Sequence, residues 1–235
     1  MAESIIKNNL AEVHARIEAA CARAGRDPSE VGLICVSKTK PAEAVLEAYH
    51  AGEKLFGENK VQEIREKAPV LPEDIQWHMI GHLQTNKVKQ VIGHAAMIHS
   101  IDSVRLAETV SKEAVKAGIV MPVLIEVNMA AEESKYGIRP EDAMDFVGAI
   151  LPLPGIKIEG LMTIAPYTET PEENRVYFRG LRKLSVDING KYSDNLFMHV
   201  LSMGMTGDFE VAIEEGATFV RVGTGIFGER NYHIE

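Results

Sequence analysis

The first segment of the chain places its apolar side chains on one face of a helix. They are Ile6, Leu10, Val13, Ile17 and Cys21, at gaps of four, three, four and four residues. This spacing matches the 3.6-residue period of an α-helix. Gly25, a residue type that commonly ends helices, comes after the last apolar position. The pattern therefore predicts an N-terminal helix that ends near residue 25.

Eight short apolar runs follow, and each has the length of a buried strand. They cover residues 31–38, 54–59, 75–81, 97–102, 121–129, 157–164, 195–202 and 217–224. Between them lie charged stretches with helical periodicity, including residues 41–51, 59–67, 104–117 and 140–151. Ser103 precedes the third of these stretches and is a typical helix-capping residue. The chain therefore alternates strands with helices.

This alternation predicts an α/β fold with a parallel sheet. Right-handed crossovers between consecutive strands would close the sheet into a single (β/α)8 barrel of the TIM type, with an extra N-terminal helix. An open, doubly wound sheet is the alternative that the same alternation allows. No low-complexity run or linker divides the chain, so we expect residues 1–235 to form one domain.

Composition and charge exclude several classes of function. Of the 235 residues, 46% are hydrophobic, which is enough to bury a large core. The formal charge is −9 and basic residues form no long run, so we expect no binding to nucleic acid or to an anionic membrane. The first helix is charged throughout, unlike a signal peptide or membrane span, and we expect a cytoplasmic protein. Cys21 and Cys35 give neither a disulfide framework nor a metal-ligand spacing.

Lys38 ends the first apolar run and is the first candidate for chemistry. A lysine at a strand end is commonly a solvated loop residue. In a parallel barrel, however, the carboxyl ends of all strands meet at one mouth. We expect partial burial there to lower the pKa of the amine and to favour Schiff-base formation.

The last two strand ends carry glycines and hydroxyls that could bind a phosphate. The seventh run ends at Ser202 and is followed by Met203, Gly204 and a helical pattern from residue 208, and the eighth ends in Gly223 and Thr224. Glycines after a strand are also common turn residues. Phosphate sites in these barrels recur in the loops after strands seven and eight, which favours an anion site. An amine beside such a site suits pyridoxal 5′-phosphate.

Two further polar residues lie at strand ends. Arg221 is inside the last apolar run, where a charge is costly unless it meets a ligand or a barrel acid such as Glu126. Facing a pyridine nitrogen, an arginine could only donate, so the nitrogen would stay unprotonated and the ring would be a poor electron sink. Asn59 could contact the cofactor or cap the next helix.

Other candidates are weaker. His78 and His82 on one strand would be about 13 Å apart, too far to chelate one ion, so we expect no metal. Lys135 provides a second amine near the mouth, on a loop with few apolar residues that could pack against the core. It is either solvated or makes a secondary contact with the cofactor.

Several motifs, in order along the chain, resemble those of the pyridoxal phosphate homeostasis proteins. They are Val-Ser-Lys at 36–38, Gly-Glu-Asn at 57–59, Trp-His-Met-Ile-Gly-His-Leu-Gln-Thr-Asn-Lys at 77–87, Ser-Lys-Tyr-Gly at 134–137, Gly-Leu-Met-Thr-Ile at 160–164, Leu-Ser-Met-Gly-Met-Thr at 201–206 and Arg-Val-Gly-Thr-Gly-Ile-Phe-Gly at 221–228. The resemblance spans essentially the whole chain. Thr206 is one departure, because serine is expected there in many members, but the hydroxyl is retained.

The resemblance implies a fold similar to the barrel domain of alanine racemase, and binding of pyridoxal phosphate without established catalytic activity. It implies that Lys38 holds the cofactor as an aldimine, that Arg221 meets the pyridine nitrogen and that Asn59 lies against the cofactor. The phosphate would be held by Ser202, Met203, Gly204, Gly223 and Thr224. Candidate partners are the cofactor and, transiently, apo-enzymes that depend on it.

Three functions are compatible with this site. A carrier would keep the cofactor bound, shielded and available. An amino-acid racemase would need an acid/base group on each face of the substrate carbon. In alanine racemase a further domain, from a partner subunit, supplies the second group. Only seven residues follow Gly228 here, so we expect that domain to be absent. The group that could substitute for it is the hydroxyl of Tyr136, Tyr167 or Tyr232. A Schiff-base aldolase is a distant third, because its lysine is expected later in the barrel, where this chain has Thr163. We therefore expect a carrier.

Overall fold

The computed structural model describes residues 4–132 and 134–229 of the chain. Eight parallel strands form a closed barrel in sequence order. The strands are β1 (Gly32–Val36), β2 (Leu55–Glu58), β3 (Gln76–Met79), β4 (Ala95–Ile101), β5 (Met121–Glu126), β6 (Ile156–Met162), β7 (Val200–Met205) and β8 (Phe219–Val222). The helices are α1 (Ile5–Ala24), α2 (Ala42–His50), α3 (Val61–Lys67), α4 (Val88–Val91), α5 (Val104–Lys116), α6 (Ala143–Ile150), α7 (Arg175–Lys191), α8 (Phe209–Glu214) and α9 (Thr224–Phe227).

The closed sheet confirms the predicted barrel and makes the open-sheet alternative wrong. Closure comes from the pairing of the first strand with the last, in which Gly32 lies opposite Phe219 and Cys35 opposite Val222. The carboxyl ends of all eight strands therefore meet at one rim. None of the helices within the described residues is both long and apolar enough to cross a membrane.

Helix α1 is the predicted extra N-terminal helix. It begins after Ser4, whose side chain accepts a hydrogen bond from the Lys7 N–H, and it ends at Gly25 with φ +65°. Its predicted apolar face is buried, with Leu10 and Ile17 each 3% exposed. The helix packs against α8, which follows β7, and against α9, which follows β8.

The seventh strand begins later than the sequence predicts. The apolar run starts at residue 195, but β7 starts at Val200, and Phe197 is 77% exposed. The side chain of Asn189 explains this difference, because it bonds both the N–H and the carbonyl of Met198. Those backbone groups are thereby satisfied without a neighbouring strand. The strand also continues beyond Ser202 to Met205.

The barrel interior is partly polar. Leu124, Met162 and Val200 form a small apolar cluster that is separate from the main core. Gly160 allows β6 and β7 to approach, because a Cβ there would lie 1.8 Å from the Val200 carbonyl oxygen. Buried polar side chains are also present, and Arg221, 4% exposed, is one that reaches the mouth.

Candidate functional site

One cavity of about 570 Å³ lies at the carboxyl ends of the strands. It is lined by residues that follow β1, β2, β3, β6, β7 and β8, as barrel topology requires of a site at this rim. Five of the predicted site residues line it together: Lys38, Asn59, Arg221, Gly223 and Thr224. Its volume is within the range of roughly 300–1,000 Å³ that is usual for small-molecule sites.

Lys38 lies in a tight turn directly after β1. The Ser37 N–H bonds the Gly57 carbonyl of β2 at 3.1 Å, and the Lys40 N–H closes the turn on the Ser37 carbonyl at 3.0 Å. Thr39 has a φ of +63°. The turn places Lys38 half-buried against the cavity, which is the location that the sequence predicts.

The loops after β7 and β8 meet on the same side of the cavity. Thr206 and Thr224 both line it, and their hydroxyl oxygens are hydrogen-bonded at 3.3 Å. Asp208 fixes the first loop, because its carboxylate accepts bonds from the Met205 N–H at 2.7 Å and the Asn174 amide at 2.8 Å. The arrangement gathers hydroxyl and backbone N–H donors, the groups that an anion needs.

Three of the residues predicted for the phosphate are not in the cavity wall. Ser202 and Met203 are fully buried inside the barrel. Gly204 has a φ of +89°, and a Cβ there would lie 2.6 Å from the Cβ of Ala212 on α8. The wall consists instead of residues 205–208, because β7 continues to Met205. The helical pattern from residue 208 was the signal that the loop lies at 206–207. A cofactor role for the three buried residues stays a prediction.

Arg221 is anchored by uncharged groups. Its Nη1 donates to the Ser202 hydroxyl at 2.7 Å and its Nη2 to the Thr163 carbonyl at 2.8 Å. Within the described residues it forms no salt bridge with Glu126, so that alternative is wrong as a contact. Burial lowers the pKa of Arg221 to about 10, although the negative charges of Glu126 and Asp208 oppose the shift. The guanidinium is therefore protonated at neutral pH.

A chain of buried histidines continues from Arg221 into the barrel. His99 Nδ1 lies 3.0 Å from the Ser202 hydroxyl, and His99 Nε2 lies 2.8 Å from His78 Nδ1. Burial lowers the pKa of His78 to about 4 and that of His99 well below its ordinary value, so both rings are neutral at pH 7. This chain could not be predicted from the sequence, because its three side chains come from three separate strands. Residues 4–132 and 134–229 contain no cluster of three or more acidic, histidine or cysteine ligands for a metal.

The structure also shows where Asn59 and Lys135 lie. Helix α3 begins after Lys60, so Asn59 does not cap it and the capping alternative is wrong. Lys135 bonds Glu132 at 2.6 Å and the Ala165 carbonyl at 3.2 Å, and it lines a separate cavity of about 170 Å³ with Glu126.

Comparison with known proteins identifies the relatives of this chain. Residues 8–231 match the family model of the alanine racemase N-terminal domain. The pyridoxal phosphate homeostasis protein of Aquifex aeolicus is 50% identical over 95% of this chain and 97% of that protein. Its counterpart from Escherichia coli K12 is 40% identical, with 97% of each covered. The structure of PipY from Synechococcus elongatus with PLP bound has a TM-score of 0.82 and 36% identity, covering 95% of this chain and 100% of PipY.

The titration of Glu126 generates a testable prediction about stability. Burial and the negative charge of Asp102 together raise its pKa to about 7, against the opposing positive charge of Arg221. Because the folded-state pKa is above the ordinary value, the protonated carboxyl stabilises the fold at low pH, and this contribution is lost as pH rises from 4.5 through 7. Glu126→Gln stays neutral, so its free energy of unfolding should exceed that of the wild type at pH 8 by up to about 3 kcal/mol.

Urea denaturation at pH 5 and pH 8 measures this difference. The gain from Glu126→Gln should be smaller at pH 5, where the wild-type carboxyl is largely protonated. Glu66→Gln, at an exposed position of α3, is the control and should change neither value. An equal loss of stability for Glu126→Gln at both pH values would contradict the assignment.

Proposed function

Because the chain belongs to the pyridoxal phosphate homeostasis proteins and matches the alanine racemase N-terminal domain over residues 8–231, we propose that it binds pyridoxal 5′-phosphate and serves as a carrier or regulator of that cofactor. The observation that carries the proposal is a single cavity of about 570 Å³ that brings together Lys38, Arg221 and the loops after β7 and β8. We also propose that residues 1–235 act as one unit, in the cytoplasm.

The residues present fit this cofactor. Its aldehyde needs a primary amine, its phosphate needs hydrogen-bond donors, and its ring needs an apolar wall. Lys38 supplies the amine, Thr206, Gly223 and Thr224 surround a place for an anion, and Val36 contributes an apolar side chain to the cavity. Gly223 also keeps the backbone close, since a Cβ there would lie 3.2 Å from the Val36 carbonyl oxygen.

Lys38 is proposed to hold the cofactor covalently. When bound, pyridoxal phosphate would supply an aldehyde whose carbon can form a Schiff base with a primary amine, with release of water. The part of Lys38 is to present its amine nitrogen to that carbon from the end of β1. The hydrogen-bonded turn between Ser37 and Lys40 fixes the backbone that carries this side chain at the cavity.

The other predicted site residues hold and orient the cofactor in this proposal. Thr206, Gly223 and Thr224 would hold the phosphate through their hydroxyls and backbone, while Ser202, Met203 and Gly204 would support it by fixing the end of β7. Asn59 would contact the cofactor, and Arg221 would donate to the pyridine nitrogen. The fixed orientation of the Arg221 guanidinium, with bonds to Ser202 and Thr163, supports its role as a donor to that atom.

The cavity favours a carrier over a racemase. Racemisation needs a second acid/base group opposite the lysine. Besides Lys38, the titratable side chains among the described lining residues are Tyr167, Asp208 and Arg221. The Asp208 carboxylate is engaged in two hydrogen bonds, Arg221 stays protonated, and Tyr167 is 94% exposed.

An amino-acid racemase is the second candidate function. The observation in its favour is that Tyr167 lines the cavity and carries an ionisable hydroxyl. Tyr136 lines the smaller cavity and stacks on His82 at 3.8 Å, and Tyr232 lies outside the described residues.

In the carrier proposal, the exposed position of Tyr167 at the rim is suited to transient contact with an apo-enzyme that receives the cofactor.

Chemical trapping tests the role of Lys38. Protein incubated with pyridoxal phosphate should be yellow, and borohydride should fix the cofactor on the peptide that contains Lys38. Lys38→Ala should lose the colour and the adduct, whereas the matched variant Lys135→Ala should keep both. Peptide mass spectrometry reads the position directly, and an adduct found only on Lys135 or another lysine would contradict the assignment.

A comparison with pyridoxal, which lacks the phosphate, tests the anion site. A hydrogen bond to a charged group contributes roughly 1.5–3 kcal/mol, so pyridoxal should bind at least about tenfold more weakly. Thr224→Val should weaken the binding of pyridoxal phosphate but not the binding of pyridoxal. Thr168→Val is the control, because Thr168 lines the same cavity while its hydroxyl bonds Glu173 at 2.6 Å. Equal affinities for the two ligands would refute the proposed phosphate site.

Exchange at the α-carbon in heavy water separates the carrier from the racemase. The loaded protein should exchange the α-proton of alanine and other amino acids far more slowly than about 1 per second, an ordinary enzymatic turnover. Nuclear magnetic resonance follows the exchange, and Lys38→Ala and Tyr167→Phe are the informative variants. Fast exchange and racemisation that depend on both residues would establish the racemase instead.

A further inference from the structure

The turn that carries Lys38 is strained at the next residue. Thr39 has a φ of +63°, a left-handed conformation that is unfavourable for a β-branched residue. Such a conformation costs free energy, so the surroundings must hold it in place. The turn therefore depends on contacts from outside itself.

Two side chains of α3 supply those contacts, one on each side of Lys38. Glu63 Oε2 accepts the Thr39 N–H at 2.7 Å. Lys67 Nζ donates to the Ser37 carbonyl at 2.8 Å. The two residues are four apart, on one face of the helix, and pair with each other at 3.1 Å. The peptide groups that flank Lys38 are thus bound to a single helical surface.

A buried carboxylate holds the lysine of this pair. Glu58 at the end of β2 is fully buried, and its Oε1 accepts from Lys67 Nζ at 2.7 Å and from the Ser37 hydroxyl at 2.6 Å. Lys67 therefore uses its three N–H donors on Glu58, Glu63 and the Ser37 carbonyl. Burial raises the pKa of Glu58, and the Lys67 ammonium opposes that rise.

Stability alone does not explain such a cluster. Removing charges from water is unfavourable, and well-packed apolar residues often stabilise a fold equally well. What the cluster provides is a fixed position for the backbone on both sides of Lys38. On the far side of the turn, Lys40 Nζ bonds the carbonyls of Phe227 and Gly228 at 2.8 and 3.2 Å, which ties the turn to the segment after β8.

We propose that Glu63 and Lys67, supported by Glu58, are positioning residues that hold the Lys38 turn so that its amine enters the cavity. None of the three lines that cavity. The inference rests on the proposed function, in which Lys38 is the amine that binds the cofactor. Glu63 and Lys67 act on the position of Lys38 through the backbone at residues 37 and 39.

The test measures the reactivity of Lys38 in two ways. The first is the rate at which pyridoxal phosphate forms an adduct at Lys38, measured by trapping the adduct with borohydride. The second is the rate of acetylation of Lys38 by acetic anhydride without cofactor, relative to the other lysines of the same protein. Misplacement of a reacting group by about 1 Å can cost up to about 100-fold in rate, so we expect Glu63→Ala and Lys67→Met to slow the trapped adduct about tenfold or more.

Two further variants separate positioning from a general loss of structure. Glu63→Gln keeps a side-chain oxygen for the Thr39 N–H and should lose less than Glu63→Ala. Thr39→Gly adopts positive φ without strain, so adding it to Glu63→Ala should restore most of the rate. Glu113→Ala removes an exposed pair with Lys116 on α5 and should leave Lys38 unchanged. Thermal midpoints are measured for every variant.

The outcomes are distinct. Folded Glu63→Ala and Lys67→Met proteins that react at Lys38 at the wild-type rate would overturn the proposal while leaving the proposed function intact. Failure of Thr39→Gly to restore Glu63→Ala would also contradict it. If Lys67→Met does not fold, Glu63→Ala decides, because Glu63 is not fully buried. A wild type that forms no adduct at Lys38 refutes the proposed function, and acetylation still tests the positioning.

Discussion

Hydrogen bonding between β1 and β8 is the interaction on which the rest of the structure depends. In the sequence, Lys38 and Gly223 are separated by most of the chain, yet β1 and β8 are neighbours in the sheet. Because all strands are parallel, closure also directs both of their carboxyl ends to the same rim. The amine, the arginine and the two hydroxyl-bearing loops meet for this reason and not because they share a local motif.

The polar interior is the cost of this site and the means by which it is oriented. Arg221 is charged and buried, an arrangement that is tolerated only where its donors find acceptors. A hydroxyl and a backbone carbonyl each accept one of its hydrogen bonds, and neutral His99 and His78 extend the network behind the hydroxyl. Since Ser202 and the histidines are neutral, they fix the direction of the guanidinium without neutralising it. Its positive charge remains directed at the cavity.

The fold and half of the site could be predicted from the sequence, for identifiable reasons. Strand periodicity and helix caps are local, so the barrel, the N-terminal helix and the position of Lys38 at a strand end were predictable. The start of β7 was not, because it depends on Asn189, a residue of the preceding helix that binds the Met198 backbone. The burial of Ser202 follows from that shift. The Glu58, Glu63 and Lys67 cluster was missed because only the packing of α3 beneath the first turn brings its members together.

A crystal structure of the protein grown with pyridoxal phosphate tests the central claim most directly. The account predicts continuous electron density from the Lys38 side chain to the cofactor, with the phosphate between the Thr206 and Thr224 hydroxyls and the pyridine nitrogen beside Arg221. Density for a cofactor bound elsewhere, or bound in this cavity but joined to a different lysine, would contradict it.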